Sequence, residues 1–179
     1  MQELLRQLQK HPVIPAARTL EAVRRASDTP AAAIFLLGGS ILTLPEMIQT
    51  ARDCGKRAFV HLDLAEGLGR DEAAVRWCME TLHADGLIST RPALLKSASE
   101  LGAITIQRLF LMDSTSFEHG KRMLRNTPPD MAEVLPGIAP KAIRQLCEVL
   151  DKPVIAGGRV SEPRELALAL QSGATAVSV

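Results

Sequence analysis

Short apolar runs alternate with longer amphipathic stretches along the whole chain. The pattern predicts eight β-strands, at Val13–Ala17, Ala32–Leu37, Ala58–Leu64, Gly86–Ser89, Ile104–Met112, Ala132–Leu135, Val154–Ala156 and Ala176–Val179. Several of these runs, such as Ala31–Leu37, are apolar at consecutive positions rather than at every second one. Strands of a parallel sheet that is covered on both faces have this pattern.

The stretches between these runs predict helices with recognisable ends. Thr43–Glu46 has the spacing of a capping box, and Gly55 follows the last periodic residue of that helix. Asp71 begins a helix whose apolar side chains are three or four residues apart. Further helices are expected from Pro92 to a stop at Gly102, over Thr115–Arg125, over Pro140–Leu150, and over Glu162–Ser172 with Ser161 as the cap.

Eight strands with seven intervening helices predict an α/β protein, a compact (β/α)8 barrel of the TIM type with parallel strands. The barrel fills residues 1–179 as a single domain, and an N-terminal helix over residues 1–11 leads into the first strand. Each strand–helix unit has roughly 22 residues, against about 31 in a typical barrel, so the loops must be short. The final helix, which would follow the eighth strand, is missing from this sequence.

Composition narrows the classes of function. The 179 residues are 46% hydrophobic and 23% charged, which suits a globular core, and the formal net charge of +1 excludes a uniformly basic nucleic-acid binder. Aromatic residues make up 3%, which argues against a stacking platform for single-stranded bases. The three cysteines form no CxxC pair, and no ligand cluster predicts a metal. With no signal peptide and no membrane-length apolar run, we expect a cytoplasmic protein.

A phosphate site is the most specific chemistry that the pattern suggests. Barrels of this type build such sites from the loops after strands seven and eight, where this chain has Gly157, Gly158 and Ser178. Glycines let backbone amides approach phosphate oxygens closely, and the adjacent Arg159 could add charge. In the alternative reading, the two glycines only make a tight turn.

Other polar side chains follow the predicted strands and are expected at the same rim. They are Arg18, Asp63, Thr90, Asp113 and, less clearly, His61. Carboxylates can bind the hydroxyls of a small polyol, and Arg18 could approach a phosphate. Alternatively, Asp63 and Asp113 cap helices or pair with Gln107 and Arg108.

The rim lacks a convincing catalytic constellation. No lysine ends a strand where a Schiff base could form, and Glu133, which could act as a base, has no nucleophile beside it. We therefore expect a ligand-binding protein and not an enzyme. The alternative is a phosphate-binding barrel enzyme that acts on a small phosphorylated polyol or a glycerophosphodiester.

Six ordered segments resemble one known family. They are Val13–Arg18, His61–Asp71, Asp85–Arg91, Thr105–Ser114, Pro129–Gly137 and Pro153–Gly158. Together they resemble the glycerol uptake operon antiterminator regulatory proteins, from about residue 10 to the end of the chain. In two places the chain differs from the family: Ser178 is followed only by Val179, without the usual Ser-Thr-Ser-like run and helix, and Arg159 replaces an apolar residue.

The resemblance implies a regulator that responds to glycerol 3-phosphate and acts on the leader RNA of glycerol-utilisation transcripts. Its effector would place the phosphate at Gly157, Gly158 and Ser178, and its hydroxyls would face Asp63, Thr90 or Asp113. No cofactor is implied beyond this effector, and the partners would be glycerol 3-phosphate and leader mRNA, with a homo-oligomer left open.

RNA binding follows from the resemblance and not from the composition. The basic residues that lie closest together on one predicted helix are Lys121, Arg122 and Arg125, and these are our candidates for contacting RNA phosphates. Alternatively, they form an ordinary solvated helix face. A hairpin or duplex read by its shape would suit a protein with so few aromatic residues.

Overall fold

A computed structural model describes residues 1–179. Its strands are β1 (Val13–Ile14), β2 (Ala16–Ala17), β3 (Ala33–Leu36), β4 (Arg57–His61), β5 (Gly86–Ser89), β6 (Ile104–Phe110), β7 (Met131–Leu135), β8 (Val154–Gly157) and β9 (Ala176–Ser178). Its α-helices are α1 (Gln2–Lys10), α2 (Leu20–Ser27), α3 (Leu44–Asp53), α4 (Glu72–Arg76), α5 (Pro92–Glu100), α6 (Ser114–Asn126), α7 (Pro140–Val149) and α8 (Pro163–Gln171).

The strands form a closed parallel barrel. Every neighbouring pair is parallel, β1 pairs with β9, and β2 pairs with β3. β1 and β2 are the two halves of the first predicted strand, which breaks at Pro15 because proline has no amide proton. The Pro15 carbonyl still accepts a hydrogen bond from the Phe35 amide at 2.9 Å, so the ring stays connected. Because β1 and β2 count as one strand of the ring, the barrel has eight strands, which confirms the (β/α)8 prediction.

The predicted elements are present, with corrections at their ends. The predicted strand at Ala58–Leu64 stops at His61, and Leu62–Leu64 forms a 3-10 turn instead. Thr43 precedes α3 without capping it, because its hydroxyl accepts from the Ser40 amide at 2.9 Å. The cap of α8 is Glu162 and not Ser161.

Apolar side chains fill the barrel interior, and each of the eight strands of the ring supplies at least one of them. Its members include Ile14, Phe35, Phe59, Ile88, Ile106, Met131, Ile155 and Ala176, and the rings of Phe35 and Phe59 meet edge to face at 5.6 Å. Leu4 and Leu8 of α1 pack into the same cluster. The N-terminal helix therefore closes the end of the barrel at which the strands begin.

Two further apolar clusters lie between the strands and the outer helices. One includes side chains of α2, α3 and α5, and the other includes side chains of α6, α7 and α8. Both faces of the sheet are thus covered, as the consecutive apolar residues of the strands predict. None of the helices combines the length and hydrophobicity that a membrane span requires.

Candidate functional site

A polar layer lies inside the barrel, directly above the apolar one. Side chains alternate along a strand, so the residue two places beyond an interior residue is also interior and nearer the carboxyl end. That rule leads from the apolar layer to five residues at the mouth: His61, Arg108, Glu133, Gly157 and Ser178. Buried polar groups at the carboxyl end of barrel strands are where ligand sites form in this fold.

Glu133 organises this layer. It is fully buried, one carboxylate oxygen accepts from Arg108 Nε at 2.6 Å, and the other accepts from Ser178 Oγ at 2.7 Å. The register of the sheet explains the ion pair, because Arg108 and Glu133 are direct partners on β6 and β7. Ser178 therefore lies where the sequence predicted it, but its hydroxyl proton is already donated to Glu133.

Gly157 lies against this pair. A methyl group at its Cα would overlap Glu133 Oε1 and would come within 2.6 Å of Ser178 Oγ. Glycine is thus required here by the side chains that surround it, and the backbone of β8 passes close to the buried carboxylate.

The turn after β8 leaves a set of backbone amides free. Gly158 has φ +74° and Arg159 has φ +62°, and this left-handed backbone is uncommon for a residue with a side chain. The amides of Gly158, Arg159 and Val160 donate no hydrogen bond within the protein. The Gly137 amide holds the turn, since it donates to the carbonyls of Gly157 and Gly158 at 2.6 and 3.0 Å.

The amides that follow are already occupied. Those of Ser161 and Glu162 donate to one carboxylate oxygen of Glu165, at 2.8 and 3.0 Å. The Ser161 amide is the main reason that the pKa of Glu165 is held below its usual range. The free donors are therefore confined to residues 158–160, a segment that we call the cradle. Amides without an acceptor in a turn of this kind suit an anion.

His61 is buried in the polar layer without a partner. Neither ring nitrogen makes a hydrogen bond, and Nδ1 lies 3.7 Å from Asp63 Oδ2. Burial lowers the pKa of His61 to about 4, and the charge of Arg108 acts in the same direction. The imidazole is therefore neutral near pH 7.

Asp63 joins the ends of two strands. Its Oδ2 accepts from Ser89 Oγ at 2.9 Å and from the Thr90 amide at 2.8 Å, while Arg91 Nε lies 3.5 Å from Oδ1. Asp63 therefore pairs with neighbours, but with Ser89, Thr90 and Arg91 and not with Gln107 or Arg108 as in the alternative reading. Asp63 contacts the amide of Thr90 and not its side chain, which stays available near the mouth.

Asp113 lies apart from the polar layer. It caps α6, where it accepts from the Ser116 amide at 2.7 Å, and this hydrogen bond holds the pKa of Asp113 below its usual range. Asp113 also lines the largest surface groove, of about 520 Å³, which lies between α6 and α7 on the outside of the barrel.

Of the remaining predicted residues, Arg18, Arg159, Arg122 and Arg125 are exposed, and Lys121 is half-buried. Arg18 follows β2, and Arg159 lies in the cradle; neither side chain makes a hydrogen bond or an ion pair. All three predicted RNA contacts lie on α6. Lys121 Nζ pairs with Glu118 at 3.0 Å, whereas Arg122 and Arg125 are exposed and unpaired. Arg122 borders a groove beside Pro92, so the three charges are divided over two sides of the helix.

The sequence prediction missed the role of Arg108 and left Glu133 without a partner. Strand alternation could have found both, because each lies two residues beyond an interior apolar residue. Pairing them also required the register between β6 and β7, which a single sequence does not fix.

Comparisons with known proteins agree with the barrel and with its predicted class. A family described as glycerol-3-phosphate responsive antiterminator matches residues 13–179. The uncharacterized protein YgcP of Escherichia coli K12 is 35% identical over 175 residues, which cover 98% of this chain and 92% of that one.

Two solved structures are similar in both sequence and fold. One is a glycerol uptake operon antiterminator regulatory protein from Listeria monocytogenes, 31% identical with a TM-score of 0.89, covering 93% of this chain and 90% of that one. The other is a glycerol uptake operon antiterminator-related protein from Thermotoga maritima, 30% identical with a TM-score of 0.82, covering 93% of each chain.

The comparisons decide between the two classes that the sequence left open. The matching family is described as a responsive antiterminator and the Listeria relative as a regulatory protein, so the chain belongs with the regulators and not with the phosphate-binding barrel enzymes of the alternative reading. Because the match extends over nearly the whole barrel, the chain belongs to the family of glycerol-3-phosphate responsive antiterminators.

Proposed function

We propose that this protein binds glycerol 3-phosphate at the mouth of its barrel and, in the bound state, binds the leader RNA of glycerol-utilisation transcripts so that transcription passes a terminator. The free amides of the cradle are the observation that carries the proposal. Because a regulator of transcripts works where they are made, we place the protein in the cytoplasm.

The phosphate group of the ligand occupies the cradle. The amides of Gly158, Arg159 and Val160 have no acceptor within the protein, and a phosphate supplies oxygens for all of them. Gly157 lets the backbone pass close to the barrel interior, and the exposed Arg159 side chain adds positive charge. The Ser178 hydroxyl donates to Glu133, so Ser178 supports the site by holding that carboxylate in place.

The glycerol hydroxyls face the rest of the rim. Thr90 and Asp63 lie at the ends of neighbouring strands, and Arg18 has a free guanidinium at the end of β2. Asp113 belongs to this proposal only if the loop before α6 turns toward the mouth, because its carboxylate now caps that helix.

The RNA surface is the exposed side of α6. Arg122 and Arg125 are free to neutralise RNA phosphates, and Lys121 joins them by giving up its ion pair with Glu118. α6 follows β6, the strand that carries Arg108, so ligand and RNA would act on the same strand–helix unit. By linkage, RNA raises ligand affinity by the factor by which the ligand raises RNA affinity.

Two titrations test the proposal. Calorimetry measures binding of glycerol 3-phosphate to the full chain, and a gel-shift titration measures binding of a glycerol-operon leader RNA with and without that ligand. We expect saturable ligand binding and a higher RNA affinity in its presence at every salt concentration. Equal RNA affinities with and without the ligand would contradict the gating, and an absence of ligand binding would contradict the proposed site.

A further inference from the structure

At the mouth, the barrel interior holds polar atoms that no protein group satisfies. We propose that His61 and Arg108 form the polyol-recognising half of the ligand site, with the cradle as its phosphate half. The inference rests on the proposed function and deepens it. The site selects a small polyol that carries one terminal phosphate, and it does so through side chains inside the barrel.

Arg108 has spare donors in a nearly closed space. Its side chain is 7% exposed, and only Nε is used, on Glu133. The two Nη groups donate to nothing in the protein. Neither Nη atom is among the buried atoms that lack a partner, so both reach the solvent at the mouth, where a ligand can accept from them. Glu133 and Ser178 are positioning residues, because they fix the guanidinium with its free nitrogens toward that space.

His61 fits a hydroxyl better than it fits an anion. A neutral imidazole has one donor nitrogen and one acceptor nitrogen, and a hydroxyl group likewise both donates and accepts. The imidazole is only 2% exposed, and both nitrogens are without partners. A phosphate would accept from only one nitrogen of the neutral ring and leave the other without a partner, and burial and the neighbouring Arg108 disfavour the protonated ring that has two donors.

The topology places these groups around one half of the mouth. With β1 and β2 counted as one strand, β4 is four strands from β8 in either direction around the barrel. His61 and the cradle therefore lie on opposite sides of the mouth. β6 lies midway between them and carries Arg108. A ligand whose phosphate rests on the cradle would therefore extend its hydroxyls past Arg108 toward His61.

The test compares two probes on the full chain by calorimetry. Glycerol 3-phosphate should use both halves of the site, whereas inorganic phosphate should use only the cradle. We expect His61→Leu to weaken glycerol 3-phosphate binding by roughly fivefold to tenfold, the effect of one lost hydrogen bond, and to leave inorganic phosphate binding unchanged. Its melting temperature should not fall, because an unpartnered polar group is replaced by an apolar one.

Three further variants complete the design. His61→Gln, which keeps a donor and an acceptor, should recover part of the affinity. Arg108→Lys keeps a cation beside Glu133 but loses the guanidinium fork, and should weaken glycerol 3-phosphate binding by tenfold or more. His119→Leu, on the exposed face of α6, serves as the matched control and should bind as wild type does.

Each outcome bears on one of the two proposals. If the wild type binds glycerol 3-phosphate and the His61 and Arg108 variants bind it equally well, the inference is wrong while the proposed function stands. If His61→Leu loses both probes equally, the imidazole supports the structure and does not read the polyol. If the wild type binds neither probe, the proposed function fails and takes this inference with it. Should His61→Leu not fold, imidazole NMR signals of the wild type, assigned with His61→Gln, must shift on adding glycerol 3-phosphate and not on adding inorganic phosphate.

Discussion

Two adjacent glycines at the mouth are required for different physical reasons. Gly157 has no room for a side chain, because Glu133 and Ser178 occupy the space that a Cβ would need. Gly158 has a left-handed backbone, at φ +74°, which residues with a side chain rarely adopt, and it begins the turn whose amides have no acceptor. A phosphate site and a tight turn are compatible explanations of these two glycines, because the turn leaves the amides of the cradle without acceptors.

Gly158→Val should abolish binding of glycerol 3-phosphate. The new side chain imposes backbone strain of about 1–3 kcal/mol, and its Cβ lies 3.0 Å from Leu135 Cδ2, so the cradle must deform. Gly55→Val is the matched control, because Gly55 has φ +70°, open space around it and a place at the end of α3. Both variants should lose comparable stability in chemical denaturation, and only Gly158→Val should lose ligand in calorimetry. Wild-type affinity in Gly158→Val would refute the cradle.

His61 should make the stability of the protein depend on pH. The pKa is about 4 in the folded protein and 6.5 ordinarily, so between these values the unfolded chain binds a proton that the folded chain does not. The contribution of His61 to the free energy of unfolding is complete above pH 6.5 and declines as the pH falls toward 4. At pH 5 the free energy of unfolding should be lower by about 2 kcal/mol. When the pH is lowered from 7.5 to 5, the melting temperature of His61→Leu should therefore fall less than that of the wild type. Parallel falls would mean that His61 titrates normally.

At the scale of elements, periodicity predicted every strand and helix, and the errors have local causes. The first strand is divided because Pro15 cannot donate to the ladder, and the predicted strand at Ala58–Leu64 ends early because the chain turns to bring Asp63 beneath Thr90. The cap of α8 lies one residue later, at Glu162, because the Ser161 hydroxyl is used on the Glu165 carboxylate and does not accept from the helix. These outcomes depend on hydrogen bonds that apolar spacing does not encode.

The candidate site was harder to predict than the fold. Gly157, Gly158 and Ser178 were chosen because barrels place phosphate sites at the seventh and eighth strands, and their role in binding phosphate stays a prediction. Arg108 and Glu133 could not be paired, because they are 25 residues apart and meet only through the register of β6 and β7. Asp113 looked available for a ligand, but the helix that begins after it uses its carboxylate as a cap.

α6 is the element on which RNA binding can be tested. Arg122→Glu with Arg125→Glu should weaken leader-RNA binding and lower the slope of log K against log salt by roughly two, with ligand affinity unchanged. The matched control is Arg24→Glu with Arg25→Glu on α2, across the ring, which changes the net charge equally. If both double variants weaken RNA binding equally, net charge and not a patch on α6 governs the interaction.

At the scale of the whole molecule, stability and ligand binding are assigned to opposite ends of the barrel. The end where strands begin is sealed by α1, and its interior is apolar. The end where strands finish holds the buried ion pair, the unpartnered imidazole and the free amides. Unsatisfied polar groups are costly, and the apolar layer beneath them supplies the compensating stability.

Leu4→Ala and Leu8→Ala should therefore destabilise the protein without changing its ligand affinity. Both leucines are fully buried against the interior cluster, and each truncation should cost about 2–5 kcal/mol because it removes apolar contacts and leaves a cavity. Leu42→Ala, at a side chain 85% exposed, should change stability little. Denaturant unfolding measures the first effect, and calorimetry with glycerol 3-phosphate, below the melting temperature of each variant, measures the second. A Leu4 or Leu8 variant that is folded but binds weakly would mean that α1 and the mouth are coupled through the apolar layer, and the division between the two ends would not hold.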